Sequence, residues 1–260
     1  MTPKDSTGLV LVRVFSDTNN IGYYSVLHDD QCISLLPIIE TTGLRDKPIF
    51  MDPYRIIDPC RNVPLITYYK FTKYRINAIH NDPRLDLGFY TEENKPSRLP
   101  KKKLKKGDII LFMAGLAQYP PEIWFFDNVN MRKILYNLRK EGKIGVYIVG
   151  GLVVERKIEI NNSQWNDAIS KYPVLTYSPH YYRVEKRNTF AVLGKGFYID
   201  PPIKIAVLTT KGYRLTRKFI SLIGYNNAEK LLRQNFRKSR YILVERDRLE
   251  KILFPYTEFY

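Results

Sequence analysis

The chain holds 260 residues, 44% of them hydrophobic, enough to bury a full core in one large domain or two modest ones. No apolar run approaches the roughly 20 residues that cross a bilayer, and the first residues carry no signal-peptide apolar stretch, so the expectation is a cytoplasmic protein without a membrane partner. Its 42 Lys and Arg against 26 Asp and Glu leave a net charge of +16, which favours a polyanionic partner, nucleic acid first; 20 Tyr and 13 Phe would suit base stacking beside phosphate contact.

Residues 9–15 read as an apolar strand carrying Arg13, followed by Asp17 and an Asn-Asn-Ile-Gly turn that ends at Gly22. Residues 31–36 form the next predicted strand, and the His28-Asp29-Asp30 turn before it suggests an antiparallel start with His28 facing solvent. Cys32 and Cys60 lack Cys-x-x-Cys spacing. They read as buried thiols rather than a disulfide framework, and although a loose site can be drawn from His28, Cys32 and Cys60, no metal is expected.

Pro37, Pro48, Pro53, Pro59 and Pro64 then interrupt the chain, with a short strand predicted over residues 63–71. His80 and Asp82 stand in "AIHNDPRLD" and read in two ways. In one, Asp82 caps an Asp-Pro turn against which His80 packs; in the other, His80 is a general base whose tautomer Asp82 sets. Residues 91–106 look like a polar, basic connection with five lysines at its end, followed by a Gly107-Asp108 turn with a structural Asp108 and an apolar strand over 109–113.

Over residues 130–141, Met131, Ile134, Leu135 and Leu138 repeat at helical spacing, with Gly142 as a natural stop. Residues 143–160 predict one long strand or a hairpin, in which Gly150-Gly151 marks a bulge or a close backbone approach. A short helix around Trp165 follows. The segment "TYSPHYYR" places His180 beside Tyr181, Tyr182 and Arg183, either as a clamp for a base and its phosphate or as a strand end packed on the core. Strands are predicted over 189–193 and 203–209, and an amphipathic helix over 227–237 with Ala228, Leu231, Leu232 and Phe236 inward. The fold class is therefore α+β, a mostly antiparallel sheet or small barrel with peripheral amphipathic helices. We divide it into a core over residues 1–200 and a C-terminal strand-helix segment over 201–260 packed on the same unit.

No Walker loop, Rossmann glycine fingerprint, His-Glu-x-x-His or Gly-x-Ser-x-Gly motif is present. The blocks "RVFSDTNNIGYYSVLHDDQCISLLPI", "IHNDPRL", "KKGDIILFMAG", "VYIVGGLVVERKI" and "SPHYYRVEKRNTFAVLGKG" instead resemble, in order and character, those of nucleotide modification associated domain 3, a group described as modifying DNA bases. The resemblance spans about residues 9–196. It matches Arg13, Asp17 and Gly22; His80, Asp82, Pro83 and Leu85; Gly107 and Asp108; Gly150; Pro179 and His180; and Asn188 and Thr189. The chain departs from the pattern at Ser178, where a first His is expected, and it lacks two C-terminal family blocks. The Gly-Asp strand is also similar to barrel elements of PUA-like modules.

The resemblance implies a protein acting on or binding DNA, RNA or a nucleotide, with His80, Asp82, His180 and Asp17 in catalytic roles. Arg13, Gly22, Tyr181, Tyr182, Arg183 and Asn188 would hold the substrate. The alternative is a PUA-like reader that binds RNA or modified DNA without turnover. The cofactor, the reaction type and the oligomeric state are not legible.

Overall fold

The computed structural model describes residues 6–15, 21–93, 100–234, 236, 239–253 and 257–259. In chain order the strands are β1 (Ser6–Arg13), β2 (Ser25–Leu27), β3 (Ile33–Ser34), β4 (Ile38–Ile39), β5 (Ile79–His80), β6 (Phe89–Glu93), β7 (Ile109–Ala117), β8 (Ile144–Ile160), β9 (Thr189–Thr209), β10 (Gly212–Leu215), β11 (Arg240–Glu245) and β12 (Thr257–Phe259). The helices are α1 (Met131–Lys140), α2 (Trp165–Lys171), α3 (Pro179–Tyr182), α4 (Arg217–Ile223), α5 (Tyr225–Arg233) and α6 (Arg246–Leu253). None of the described helices is long and apolar enough to cross a membrane.

One sheet runs in the order β10-β9-β8-β7-β1-β11, with β6 and β12 also on β9 and the β2–β3 hairpin on β7; β4 and β5 form a separate ribbon. Pairing is mostly antiparallel, but β1 and β2 both run parallel to β7. The fold is α+β with a large, mostly antiparallel sheet, as expected, and the described strands do not close into a barrel. The ends of the sheet are met by helices instead, α5 beside β10 and α6 beside β11. A sheet edge shielded in this way has no need to close on itself.

All nine residues of β7 are buried because both faces of the sheet are covered. Ile109, Leu111 and Met113 join a cluster with Phe219, Leu222, Leu231 and Leu249 from α4, α5 and α6. Ile110, Phe112, Ala114 and Leu116 face the opposite way, towards Leu85, Tyr90 and Leu104. This alternation is the period-two geometry of a strand with two apolar covers. The segment around the candidate histidines forms part of the second cover.

Several predicted elements take a different form. The predicted strands over residues 9–15 and 31–36 do not pair with each other, because β7 is long enough for β1 and β2 to lie end to end along it, Arg13 opposite Met113 and Ser25 opposite Leu116. The strand predicted over 63–71 is a 3-10 turn, Leu65–Tyr69, and residues 91–93 belong to β6 rather than to a connection. Consecutive strand residues face opposite ways. Here adjacent Tyr68 and Tyr69 are both buried, their hydroxyls donating to Asp58 Oδ2 at 2.8 Å and to the Pro37 carbonyl at 2.5 Å.

The two strands predicted around Pro201-Pro202 are one, β9. Between Tyr198, opposite Gly150, and Ile203, opposite Ile148, the register with β8 shifts, so the prolines sit where the ladder needs no N–H. His28 is buried rather than exposed, its Nε2 2.6 Å from Ser34 Oγ across the hairpin. Cys32 and Cys60 are joined in a disulfide, not left as thiols. Hairpin closure and the Arg61–Asp30 ion pair at 2.8 Å bring those segments together, a proximity that sequence spacing does not carry. The helices α1 and α5 form within a few residues of their expected bounds, and Asp108 is structural, accepting from the backbone N–H of Gly8 and Lys105.

A glycine trough on β8 and β9 seats the turn that follows the first histidine block. A Cβ on Gly196 would land on the Leu85 carbonyl, and one on Gly150 would meet the Leu85 side chain 2.5 Å away. The Gly88 carbonyl accepts from Gly194 N at 2.9 Å, so the 3-10 turn Leu85–Leu87 lies flat on the sheet. Gly196→Ala should lift this turn and cost about 2–3 kcal/mol in urea unfolding at unchanged m, the scale of an overpacked core. Gly43→Ala, whose Cβ would meet only Val184 at 3.7 Å, serves as the control and should cost well under 1 kcal/mol. Equal losses for the two variants would show that the trough does not seat the turn.

Candidate active site

His80 ends β5, and its pairing opposite Ile38 brings Glu40 alongside. His180 lies in α3, a single turn that begins at Pro179, where the missing N–H costs nothing. One helical turn separates His180 from Arg183, so both point the same way. Arg183 is buried and donates from Nη2 and Nε to Glu40 Oε2 at 2.8 and 3.1 Å, and from Nη1 to Glu93 Oε1 at 2.8 Å. Nη1 also lies 3.0 Å from His180 Nδ1. The two imidazoles meet edge to face, 4.8 Å between centroids.

Hydrogen-bond partners assign the ring tautomers. His80 Nδ1 is 3.0 Å from Glu40 Oε2 and 3.4 Å from Arg183 Nη2, and the shorter, charge-assisted bond makes it a donor to the carboxylate. Its lone pair is then on Nε2. His180 has the opposite arrangement, because a guanidinium only donates: Nδ1 must accept, and Nε2 carries the hydrogen. Burial alone would raise the Glu40 pKa, but the bond and charge of His80, followed by the charge and bonds of Arg183, outweigh it and hold the carboxyl at about 2.

Asp82 is also buried, and its carboxylate accepts from the Thr91 N–H and hydroxyl on β6; Thr91 Oγ1 in turn lies 2.9 Å from Ser178 Oγ. Burial outweighs the Thr91 bonds and, with the charge of Glu92 nearby, pushes the Asp82 pKa up to about 8, so the group is mainly protonated at neutral pH. Ligand-type atoms of His80, Asp82 and His180 lie within 4.8 Å of one another. A cation there would meet the Arg183 guanidinium on the flank of both rings, with Glu40 and Glu93 already paired to it and the Asp82 pKa pushed up to about 8.

Of the expected site residues, the structure gathers His80, Asp82, His180 and Arg183. Glu40, rather than Asp82, bonds the His80 ring. Tyr181 packs on Trp165 and Tyr182, with Lys186 Nζ 4.5 Å from its ring centre, and Tyr182 packs on Phe50. Asn188 Oδ1 accepts from Asn162 N, at the turn before α2. Arg13 stands elsewhere, on β1 beside Tyr24 and Gly115, with β9, β8 and β7 between its strand and β6. Gly22 has φ +93° in the turn before β2, with open space around it. Asp17 lies outside the described residues.

Glu40, Glu93 and Thr91 were not singled out from the sequence, and Ser178 was noted only as a departure from the family pattern. Only Glu40 carried a signal, a lone carboxylate in the apolar run "SLLPIIETT". A cleft of about 770 Å³ adjoins the cluster through Asn81 and Pro83, the neighbours of Asp82, and is lined also by Phe50, Arg84 and Tyr198. Arg84 donates twice to Asp86, and its guanidinium lies 6.0 and 5.6 Å from the ring centres of Phe50 and Tyr177.

The two carboxyls act oppositely on stability. Asp82 has a folded pKa raised from 3.8, so its contribution is full below that value and is lost as pH rises towards about 8; Glu40, depressed from 4.5, loses its contribution as pH falls towards about 2. Between pH 5 and 8 wild type should lose up to about 1.4 kcal/mol per pH unit through Asp82, and Asp82→Asn should flatten that slope. Urea midpoints measured across this range test it; parallel profiles for the two proteins would overturn the protonated state of Asp82.

No curated protein and no solved structure matches the chain. The family model described as nucleotide modification associated domain 3 matches residues 8–237, beyond the 9–196 over which the resemblance was legible and as far as the end of α5 and Phe236. With the His-x-Asp-Pro and Pro-His blocks meeting in one cluster, and the match running through most of the described sheet, the chain belongs to the nucleotide modification associated domain 3 family.

Proposed function

We propose that this protein modifies a nucleotide or a base of DNA or RNA by acid–base chemistry at the His80–His180 pair. The observation that carries the reading is the pairing of His80 Nδ1 with the Glu40 carboxylate and of His180 Nδ1 with the Arg183 guanidinium, which favours opposed tautomers. His80 Nε2 accepts a proton as general base, and Glu40 stabilises the imidazolium that forms, the division of labour of a carboxylate–histidine dyad. His180 Nε2 donates to an oxygen or nitrogen on which charge develops. Asp82, protonated and held by Thr91, keeps negative charge away from the second histidine.

Arg183 acts in this reading as a positioning residue, because Glu40 and Glu93 take its donors and leave it poorly placed to grip a phosphate. The adjoining cleft is in the size range that accepts a nucleotide, and Arg84 between Phe50 and Tyr177 offers it a cationic, aromatic wall. Tyr181 and Tyr182 extend the substrate surface from α3, with Asn188 following in the chain. The net charge of +16 supports a nucleic-acid partner.

The nucleoside profile of nucleic acid from cells expressing the protein should change with wild type. The change should fall by about 100-fold or more with His80→Ala or His180→Ala, the usual scale of a lost acid or base. Arg183→Lys should impair it too, since an ammonium cannot reproduce the planar fork across Glu40, Glu93 and His180. Unchanged profiles with folded wild type and both histidine variants, together with salt-sensitive nucleic-acid binding, would replace the enzyme by a reader.

A further inference from the structure

A second cluster lies away from the histidine pair. One ring nitrogen of His28, one carboxylate oxygen of Asp58 and Cys60 Sγ lie within 4.8 Å of one another, and Cys32 Sγ is bonded to Cys60 Sγ. Asp58 is 1% exposed. Its Oδ2 accepts from Tyr68 OH at 2.8 Å and Arg61 N at 3.1 Å, but Oδ1 is buried with no hydrogen-bond partner among the described residues. A buried carboxylate oxygen left unsatisfied costs free energy, and an ion is one of the few things that satisfies it.

We propose that, once the Cys32–Cys60 bond is reduced, Cys32, Cys60, His28 and Asp58 form a four-ligand site for a divalent transition metal of the zinc class. Two thiolates, one imidazole and one carboxylate form a donor set that suits zinc or cobalt and is too soft for magnesium or calcium. The geometry needs little adjustment. Ligand atoms on a tetrahedral zinc stand about 3.3–3.8 Å apart, so the present trio contracts by at most about 1.5 Å while the two sulfurs part to about 3.8 Å.

The supports of a metal site are already in place. Ser34 Oγ holds His28 Nε2, Asp30 Oδ1 accepts from Cys32 N at 3.1 Å, and Tyr68 and Arg61 fix the Asp58 carboxylate. Three carboxylates, Asp58, Asp30 and Asp29, act on His28 against one cation, Arg61, which acts more strongly than any one of them but whose guanidinium is bound to Asp30. The exchange balances with a dithiol reductant. Its two sulfurs join and release two electrons and two protons, the Cys32–Cys60 bond breaks, and each cysteine sulfur takes up one proton. The cation then displaces both protons to solvent.

Disulfide and metal are thus alternative clasps for one junction, pinning the β2–β3 hairpin to the 58–61 turn. Cys32 and Asp58 both line the 770 Å³ cleft, so either clasp holds its wall.

The full-length protein should be reduced with a dithiol, freed of it by gel filtration under argon, and titrated with Co²⁺. The expected result is the visible absorption of tetrahedral cobalt with near-ultraviolet thiolate charge transfer, saturating at one ion per chain and abolished by Zn²⁺. The oxidised protein should show neither band. Asp58→Asn, which keeps the disulfide available for folding, should weaken binding about tenfold or more, and Zn²⁺ should raise the melting temperature of the reduced wild type but not of Cys32→Ser/Cys60→Ser. Absence of tetrahedral bands in the reduced wild type, or bands that persist in the double cysteine variant, would overturn the site.

Discussion

A guanidinium buried in the protein interior has to be matched by fixed acceptors, and Arg183 organises its surroundings accordingly. Glu40 from the end of β4 and Glu93 from the end of β6 both reach it, joining three stretches of chain that are remote in sequence. Leaving either partner alone would strand a buried charge, at a cost of about 3–5 kcal/mol. The same constraint sets the histidines. His80 shares the Glu40 oxygen that Arg183 uses, and His180 accepts from the Arg183 nitrogen that also binds Glu93.

The sheet supplies the rigidity this network needs. β7 is buried on both faces, and β8 and β9 extend 17 and 21 residues alongside it, long enough to carry β6 at one end and the C-terminal helices at the other. Gly150, Gly194 and Gly196 lower one patch of that surface, so the backbone after His80 and Asp82 rests directly against the strands. Thr91 then meets Asp82 from β6, which β9 holds in register through Ala191. A side chain placed by packed strands on one side and a neutralised guanidinium on the other has little freedom to move, the condition for a preorganised acid–base pair.

The two titratable clusters differ in their charge. Around His80 and His180 a cation is already present as Arg183, which takes up the Glu40 and Glu93 carboxylates, and burial pushes the Asp82 pKa up to about 8. Around His28 the carboxylates outnumber the one arginine, and an oxygen of Asp58 lacks a partner among the described residues. Similar side chains therefore suit proton transfer in one place and metal capture in the other.

Local periodicity was enough to identify the helices around Leu135 and Leu231 and the apolar strand of β7, because each depends on neighbours within a few residues, and the glycine and turn residue types marked Gly150 and Asp108 without naming the distant groups they meet. The block order around His80 and His180 was likewise legible, as was the basic charge of the whole chain. The partners were not: Glu40 after β4, Thr91 and Glu93 on β6 and Ser178 before α3 reach the site from three separate segments, and no spacing in the chain encodes that meeting. The Cys32–Cys60 bridge, the burial of His28 and the 3-10 turn at Tyr68 escaped for the same reason. The sequence by itself determined the most strongly periodic helices and strands and which residue types are available for chemistry. Only the tertiary structure decided which of them touch, and hence which histidine nitrogen holds a proton and which carboxyl keeps one, since tautomer and charge state are set by neighbours in space.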